Sequence, residues 1–166
     1  MGRDFPLPPH RDTLDTCLSH RSIEDDNLPP GVHPYSLREA VERFGTGSTR
    51  RVAIGSRLER IDRPARSTGL VARLIVFGSF ISAKPEPNDV DIFLLMDDSF
   101  EFDRLEGETR LVFDHAIADA HFGASVFWMR RMAAFGGEQA AVEFWQTRRD
   151  GLPLGIVEIL SDAERP

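Results

Sequence analysis

Two aspartates one residue apart, Asp89 and Asp91, stand at the head of the apolar run Val90-Asp91-Ile92-Phe93-Leu94-Leu95. Alternate side chains of a strand share a face, so both carboxylates point the same way. Such a pair repels itself unless positive charge lies between its members. Hard divalent cations such as Mg²⁺ take oxygen ligands of this kind, commonly with substrate phosphates completing the shell. About ten residues earlier a second apolar run, Leu74-Ile75-Val76-Phe77, ends in Gly78-Ser79. A Gly-Ser turn offers backbone N–H groups and a hydroxyl, which suit a phosphate. The competing reading is an ordinary connection with an acidic rim, since Pro85, Pro87 and Asn88 are turn residues. Against it, the near-continuous apolar run after the acids reads as a strand buried on both faces. Charges at the mouth of such a strand are costly without partners.

A hydrophobic strand, Gly78-Ser79, a gap of about ten residues and then Asp89-Val90-Asp91-Ile92 resembles the signature of the DNA polymerase β-like nucleotidyltransferases. The closest likeness is to the small bacterial minimal nucleotidyltransferases, over roughly residues 70–130. The resemblance implies that Gly78 and Ser79 contact the triphosphate of a bound nucleoside triphosphate. It also implies that Asp89 and Asp91 hold Mg²⁺ or Mn²⁺ and are catalytic. Lys84 is the only base between the two motifs, and it either contacts the β- or γ-phosphate or is a solvated loop lysine.

The likeness is incomplete. Members of that superfamily usually carry a third carboxylate on the next strand. Here that strand is Ala124-Ser125-Val126-Phe127-Trp128-Met129, with Ser125 at the expected position. A hydroxyl brings no charge, so the departure bears on catalysis more than on nucleotide binding. Glu158 and Asp119 are the alternative third ligands. His115 and Asp119, at i and i+4 with His121 nearby, are expected to be polar residues of an amphipathic helix, because zinc sites take three or four well-placed ligands.

The elements around these motifs alternate between strand and helix. Ser36 and Glu39 make a capping box, and Leu37, Ala40, Val41 and Phe44 form one stripe that ends at Gly45. Gly45-Thr46-Gly47-Ser48 lacks the Lys-Ser/Thr ending of a phosphate-binding P-loop and reads as a helix connection. A second helix is expected over 49–65, with Ile54, Leu58, Ile61 and Ala65 inward and Pro64 kinking or ending it. Strands are expected at 72–77, 89–96, 124–129 and 155–160. One helix is expected over 109–122, with Phe113, Ala116, Ile117 and Ala120 inward and Gly123 as a left-handed cap, and another over 138–148, burying Val142 and Trp145. Phe127, Trp128, Phe144 and Trp145 are read as core rather than as a base-stacking platform. The fold class is α/β (α+β), a nucleotidyltransferase-like mixed sheet flanked by helices.

Residues 1–35 read as a Pro-rich, acidic tail, disordered or loosely packed, with a weak helix at 12–18 and exposed His10 and His20; His33 is expected in a loop beside the first helix. The domain then divides into a helical, Arg-rich lead-in (36–69), a motif-bearing core (70–130) and a C-terminal helix and strand (131–166). The net charge of −7 is unevenly spread. Residues 38–73 carry nine arginines against four acids, and residues 74–166 carry eight bases against seventeen acids. The basic segment either steers a polyanion toward the acids or is a solvated helix surface. No run of eighteen apolar residues and no secretory leader is present, and the single Cys17 has no partner for an internal disulfide, so a cytoplasmic protein without membrane association is expected.

Two functions fit. One is a Mg²⁺-dependent nucleotidyltransferase acting on a hydroxyl of RNA, a protein or a small molecule. Some minimal members of the superfamily sit in toxin–antitoxin pairs, which makes an antitoxin a candidate partner. The other is a catalytically inactive module of the same fold that binds nucleotide or a partner protein.

Overall fold

A computed structural model describes residues 27–147 and 150–161. The expected tail helix, His10, Cys17 and His20 lie outside the described residues. The fold is mixed α+β. Five strands, β1 (Gly31–Ser36), β2 (Val71–Phe77), β3 (Val90–Met96), β4 (Ala124–Arg130) and β5 (Gly155–Leu160), form one sheet in the order β1-β5-β2-β3-β4. β2 is antiparallel to both its neighbours, β3 and β5, while the outer pairs β1–β5 and β3–β4 are parallel.

The period of two sorts the strands into two cores. Leu74, Val76, Ile92, Leu94, Val126, Val157 and Ile159 face a layer made by α1 (Leu37–Phe44), α2 (Thr49–Ser67), α3 (Gly107–Phe113) and α4 (His115–Phe122). In α2, Ile54, Leu58, Ile61 and Ala65 are fully buried, as their spacing predicts. Burial of this kind stabilises by about 1.5–3 kcal/mol for each larger side chain. On the other face Ile75, Phe93, Leu95 and Ile156 meet only α5 (Glu138–Trp145), through Ala141 and Val142. A single eight-residue helix cannot cover the whole sheet, so one end of that face is left open by the described residues.

The capping box of α1 is present: Ser36 Oγ accepts from Glu39 N at 3.1 Å, and Ser36 N donates to Glu39 Oε2 at 2.8 Å. Four expectations need correction. Residues 31–35 belong to a strand rather than to the tail, and His33 lies in it, with Nε2 2.7 Å from Pro29 O. Pro34 obscures that strand in the sequence, but β1 is an edge, where a residue without an N–H is tolerated. Pro64 does not end α2, which runs on to Ser67. The helix expected over 109–122 is two helices, because Asp114 leaves helical geometry and its carboxylate caps Ile117 N at 3.1 Å. The break resets the phase: Val112, Phe113, Ala118 and Phe122 are buried, while Ile117 is exposed. Gly123 then ends α4 in the left-handed region, at φ 64°, as expected.

Candidate functional site

The register of β2 against β3 sets Phe77 beside Asp91, so the end of β2 and the start of β3 converge on one corner of the open face. Gly78 follows immediately, at φ 79° and ψ −155°. An added Cβ there would overlap Asp91 Oδ2 and lie 3.1 Å from Asp91 Cγ. Only glycine allows both the positive φ and this approach of a carboxylate to the backbone. Ser79–Ile81 form a single 3₁₀ turn anchored by buried Phe80 and Ile81. Ser79 O accepts from Ser82 Oγ at 2.8 Å and from Ser82 N at 3.3 Å, which closes the turn.

Asp89 lies just before β3 and Asp91 within it. Burial raises the Asp91 carboxyl from its ordinary range to about 6, and the Asp89 charge adds to the shift. Ser125, the register partner of Asp91 on β4, donates from Oγ to Asp89 Oδ2 at 3.1 Å. The position sought for a third acid therefore holds a hydroxyl that orients the first one.

Neither alternative third ligand joins the pair. Glu158 is on the same face, but its register partner is Ile75, and both its oxygens are held by Arg73, at 2.6 and 2.7 Å. That hydrogen-bonded ion pair raises the Arg73 pKa, the bonds to Glu158 dominating. Asp119 is exposed on α4, whose buried residues are Ala118 and Phe122. Among the described residues no three His, Cys, Asp or Glu side chains gather at one point. His115 turns to the β4 edge instead, with Nδ1 3.1 Å from Val126 O and its ring 4.7 Å from that of Phe127.

Lys84 is exposed on the connection between the two motifs, and its Nζ makes no ion pair with any described residue. Its backbone is fixed by an arginine that the sequence reading missed. Arg51 Nη1 donates to Phe44 O and Phe80 O, both at 2.9 Å, and Nη2 to Ser82 O at 2.7 Å and Lys84 O at 2.5 Å. Desolvation in this nest lowers the Arg51 pKa, and the charge of Glu86 acts the other way. Arg50 Nε donates to Pro87 O at 2.6 Å. The start of α2 thus clamps both ends of the connection. Other members of the basic segment are also committed: Arg57 to Gly123 O, Arg66 to Asp62 and Ile159 O, and Arg43 to the Tyr35 hydroxyl. No sequence signal separates an arginine that binds carbonyls from one in water.

The donor set fits one hard dication that shares its shell with phosphate. Two carboxylates lie side by side, no cation among the described residues makes an ion pair with either, and a backbone turn lies against one of them. It does not supply the carboxylates for a protein-held cage of two ions.

Beside Asp91 and Gly78 the uncovered face opens into a cleft of about 740 Å³, walled by Phe77, Phe127, Phe144 and Trp145. The expectation that Phe127, Trp128, Phe144 and Trp145 are core holds only in part. Phe127 is 37% exposed and Phe144 is 70% exposed. Trp128 does lie on the helical side, with Nε1 donating to Phe113 O at 2.8 Å.

Fold and site together define an α+β protein with a paired-carboxylate cleft at the open end of a mixed sheet. The chain belongs to a family of unknown function, DUF6932, whose profile matches residues 22–160. No curated protein and no solved structure matches it. No helix among the described residues is long and apolar enough to cross a membrane.

Proposed function

We propose that the protein binds a nucleoside triphosphate with Mg²⁺ or Mn²⁺ at the Gly78–Asp91 corner and transfers its nucleoside monophosphate to a hydroxyl acceptor. The observation that carries this reading is the seating of the Asp91 carboxylate on the Gly78 backbone. It joins a phosphate-type turn and an acid pair into one site. Gly78 and Ser79 bind phosphate oxygens, and Arg51 holds their turn rigid. Asp89 and Asp91 hold the ion, which supplies charge neutralisation at phosphate. Lys84 lies exposed on the same connection, paired with no described residue, and is the base that would reach a terminal phosphate. The acceptor oxygen attacks the α-phosphorus in line. A new O–P bond forms, the bond to the β-phosphate oxygen breaks, pyrophosphate leaves, and the acceptor proton passes to solvent or to a carboxylate of the pair. The acceptor class is RNA, a protein or a small molecule. A cytoplasmic setting and a cognate partner such as an antitoxin belong to the same reading.

One observation favours a second reading, a nucleotide-binding module without transferase activity. Ser125, where a third acid would stand, has no charge with which to activate an attacking hydroxyl. Label transfer separates the two. Protein, Mg²⁺ or Mn²⁺, each α-phosphate-labelled nucleoside triphosphate and an extract containing RNA and protein are incubated together. Asp89→Asn/Asp91→Asn serves as the control. Label that reaches RNA, protein or a small molecule only with the native acids supports the transferase. Nucleotide binding without label on any acceptor supports the module, and loss of neither property in the control refutes both.

A further inference from the structure

We infer that the aromatic cleft adjoining the acid pair is a stacking subsite for the nucleobase of the bound nucleotide. The inference rests on the nucleotide reading above and adds where the base lies and how it is recognised. The cleft begins at Gly78 and Asp91, so a phosphate chain held there directs the rest of the nucleotide along its wall. That wall is a continuous surface of rings. Trp145 lies 4.4 Å from Phe77 at 34°, and 5.2 Å from Phe127 at 37°. Phe144 stands edge-on to Trp145 at the mouth, with centroids 5.1 Å apart and planes at 89°. His115 lies against part of Phe127, with ring centroids 4.7 Å apart, but Phe127 and above all Phe144 keep exposed ring surface that is costly in water unless a flat apolar surface meets it. A cleft of about 740 Å³ is of the size that takes a nucleotide-sized ligand.

The wall is also poor in groups that read a base edge. Away from Gly78 and Asp91 the polar side-chain groups of its described lining are two, the Trp145 indole N–H and the Thr147 hydroxyl, the latter directed to Glu143 O at 3.4 Å. Stacking with so few edge contacts tolerates every base and favours the larger purine faces. ATP and GTP should therefore bind alike, with CTP and UTP a few-fold weaker.

Calorimetric titration with ATP and with inorganic tripolyphosphate, each in excess Mg²⁺, tests this on the full chain. The wild type should bind ATP roughly tenfold or more tighter than tripolyphosphate, the scale of one stacked base. Phe144→Ala removes an exposed ring and should narrow that preference without changing tripolyphosphate affinity or the melting temperature. Phe127→Ala/Phe144→Ala should remove most of it. Equal binding of ATP and tripolyphosphate by the wild type would overturn the stacking subsite while leaving the acid-pair site intact. An ATP preference that survives in the double variant would do the same. Binding of neither would overturn the nucleotide reading itself, and the subsite with it.

Discussion

Replacing Asp91 with asparagine should stabilise the protein at neutral pH. The folded chain holds this carboxyl at about 6 against an ordinary 3.8, through burial first and Asp89 second. A raised folded-state pKa means that the folded state binds the proton more tightly than the unfolded chain does. The stability this confers is complete below the unfolded value and is lost as pH rises through about 6. A shift of this size corresponds to about 3 kcal/mol, and partial exposure of Asp91 to water reduces it to about 1–2 kcal/mol. In a domain of this length that is roughly 3–8 °C in Tm. Asparagine is isosteric and cannot ionise, so it escapes the penalty.

Thermal melts of both proteins across the acid-to-neutral range read the effect. The variant should melt higher at neutral pH, and the gap should close as the pH falls below about 6. Mg²⁺ with a nucleoside triphosphate should raise the Tm of the wild type only, since a ligand that binds the folded state stabilises it by mass action. A variant no more stable than wild type at neutral pH, or a gap that ignores pH, would refute the claim that Asp91 is a desolvated charge awaiting a cation.

Gly78→Ala forces a Cβ onto Asp91 Oδ2 at positive φ, and should cost about 1–3 kcal/mol in a denaturant melt and abolish nucleotide binding. Arg51→Met strips four carbonyls of their donor, and should cost about 2–4 kcal/mol and speed amide exchange across residues 79–88. Glu158→Gln breaks the paired contact with Arg73, and should cost about 2–4 kcal/mol in stability yet leave nucleotide affinity unchanged, as titration of the refolded variant will read. Ser125→Asp puts a third carboxylate beside the pair, and should tighten Mn²⁺ binding in calorimetry while lowering the Tm of the ion-free protein.

The parts of this fold legible in the sequence are those whose signal is local. The capping box of Ser36 and Glu39, the inward row of α2 and the apolar run of β3 each follow from a period or a cap, and each is where it was expected. The Asp89–Asp91 pair on one face follows from the period of two, and its contact with Gly78 only from the β2–β3 register. What the sequence concealed depends on distant partners. Strand β1 exists because β5 pairs with it more than a hundred residues later, and Pro34 masks it locally. The break at Asp114 is hidden because the apolar spacing around it suits an unbroken helix. The roles of Arg50 and Arg51 are fixed by carbonyls some 30–40 residues away, which no spacing rule anticipates. The ring wall was read as core because the small coverage given by α5 is a property of the whole sheet.

Ser125 connects the chemistry of the site to its economy of charge. Its hydroxyl fixes Asp89 without adding a negative charge, so the corner presents two carboxylates, one of them already disfavoured in its ionised form. Such a pair is a weak trap for a bare dication, because an ion held by two carboxylates alone keeps most of its shell open. Phosphate oxygens from a ligand on the Gly78-Ser79 turn would fill that shell and repay the desolvation of both partners. Ion and nucleotide should therefore bind as a coupled unit, each raising the affinity of the other by the same factor. A third acid would loosen that coupling by letting the ion bind first. On the nucleotide reading proposed above, the serine would make the site depend on its ligand to complete it, whether that ligand goes on to react or only signals its presence.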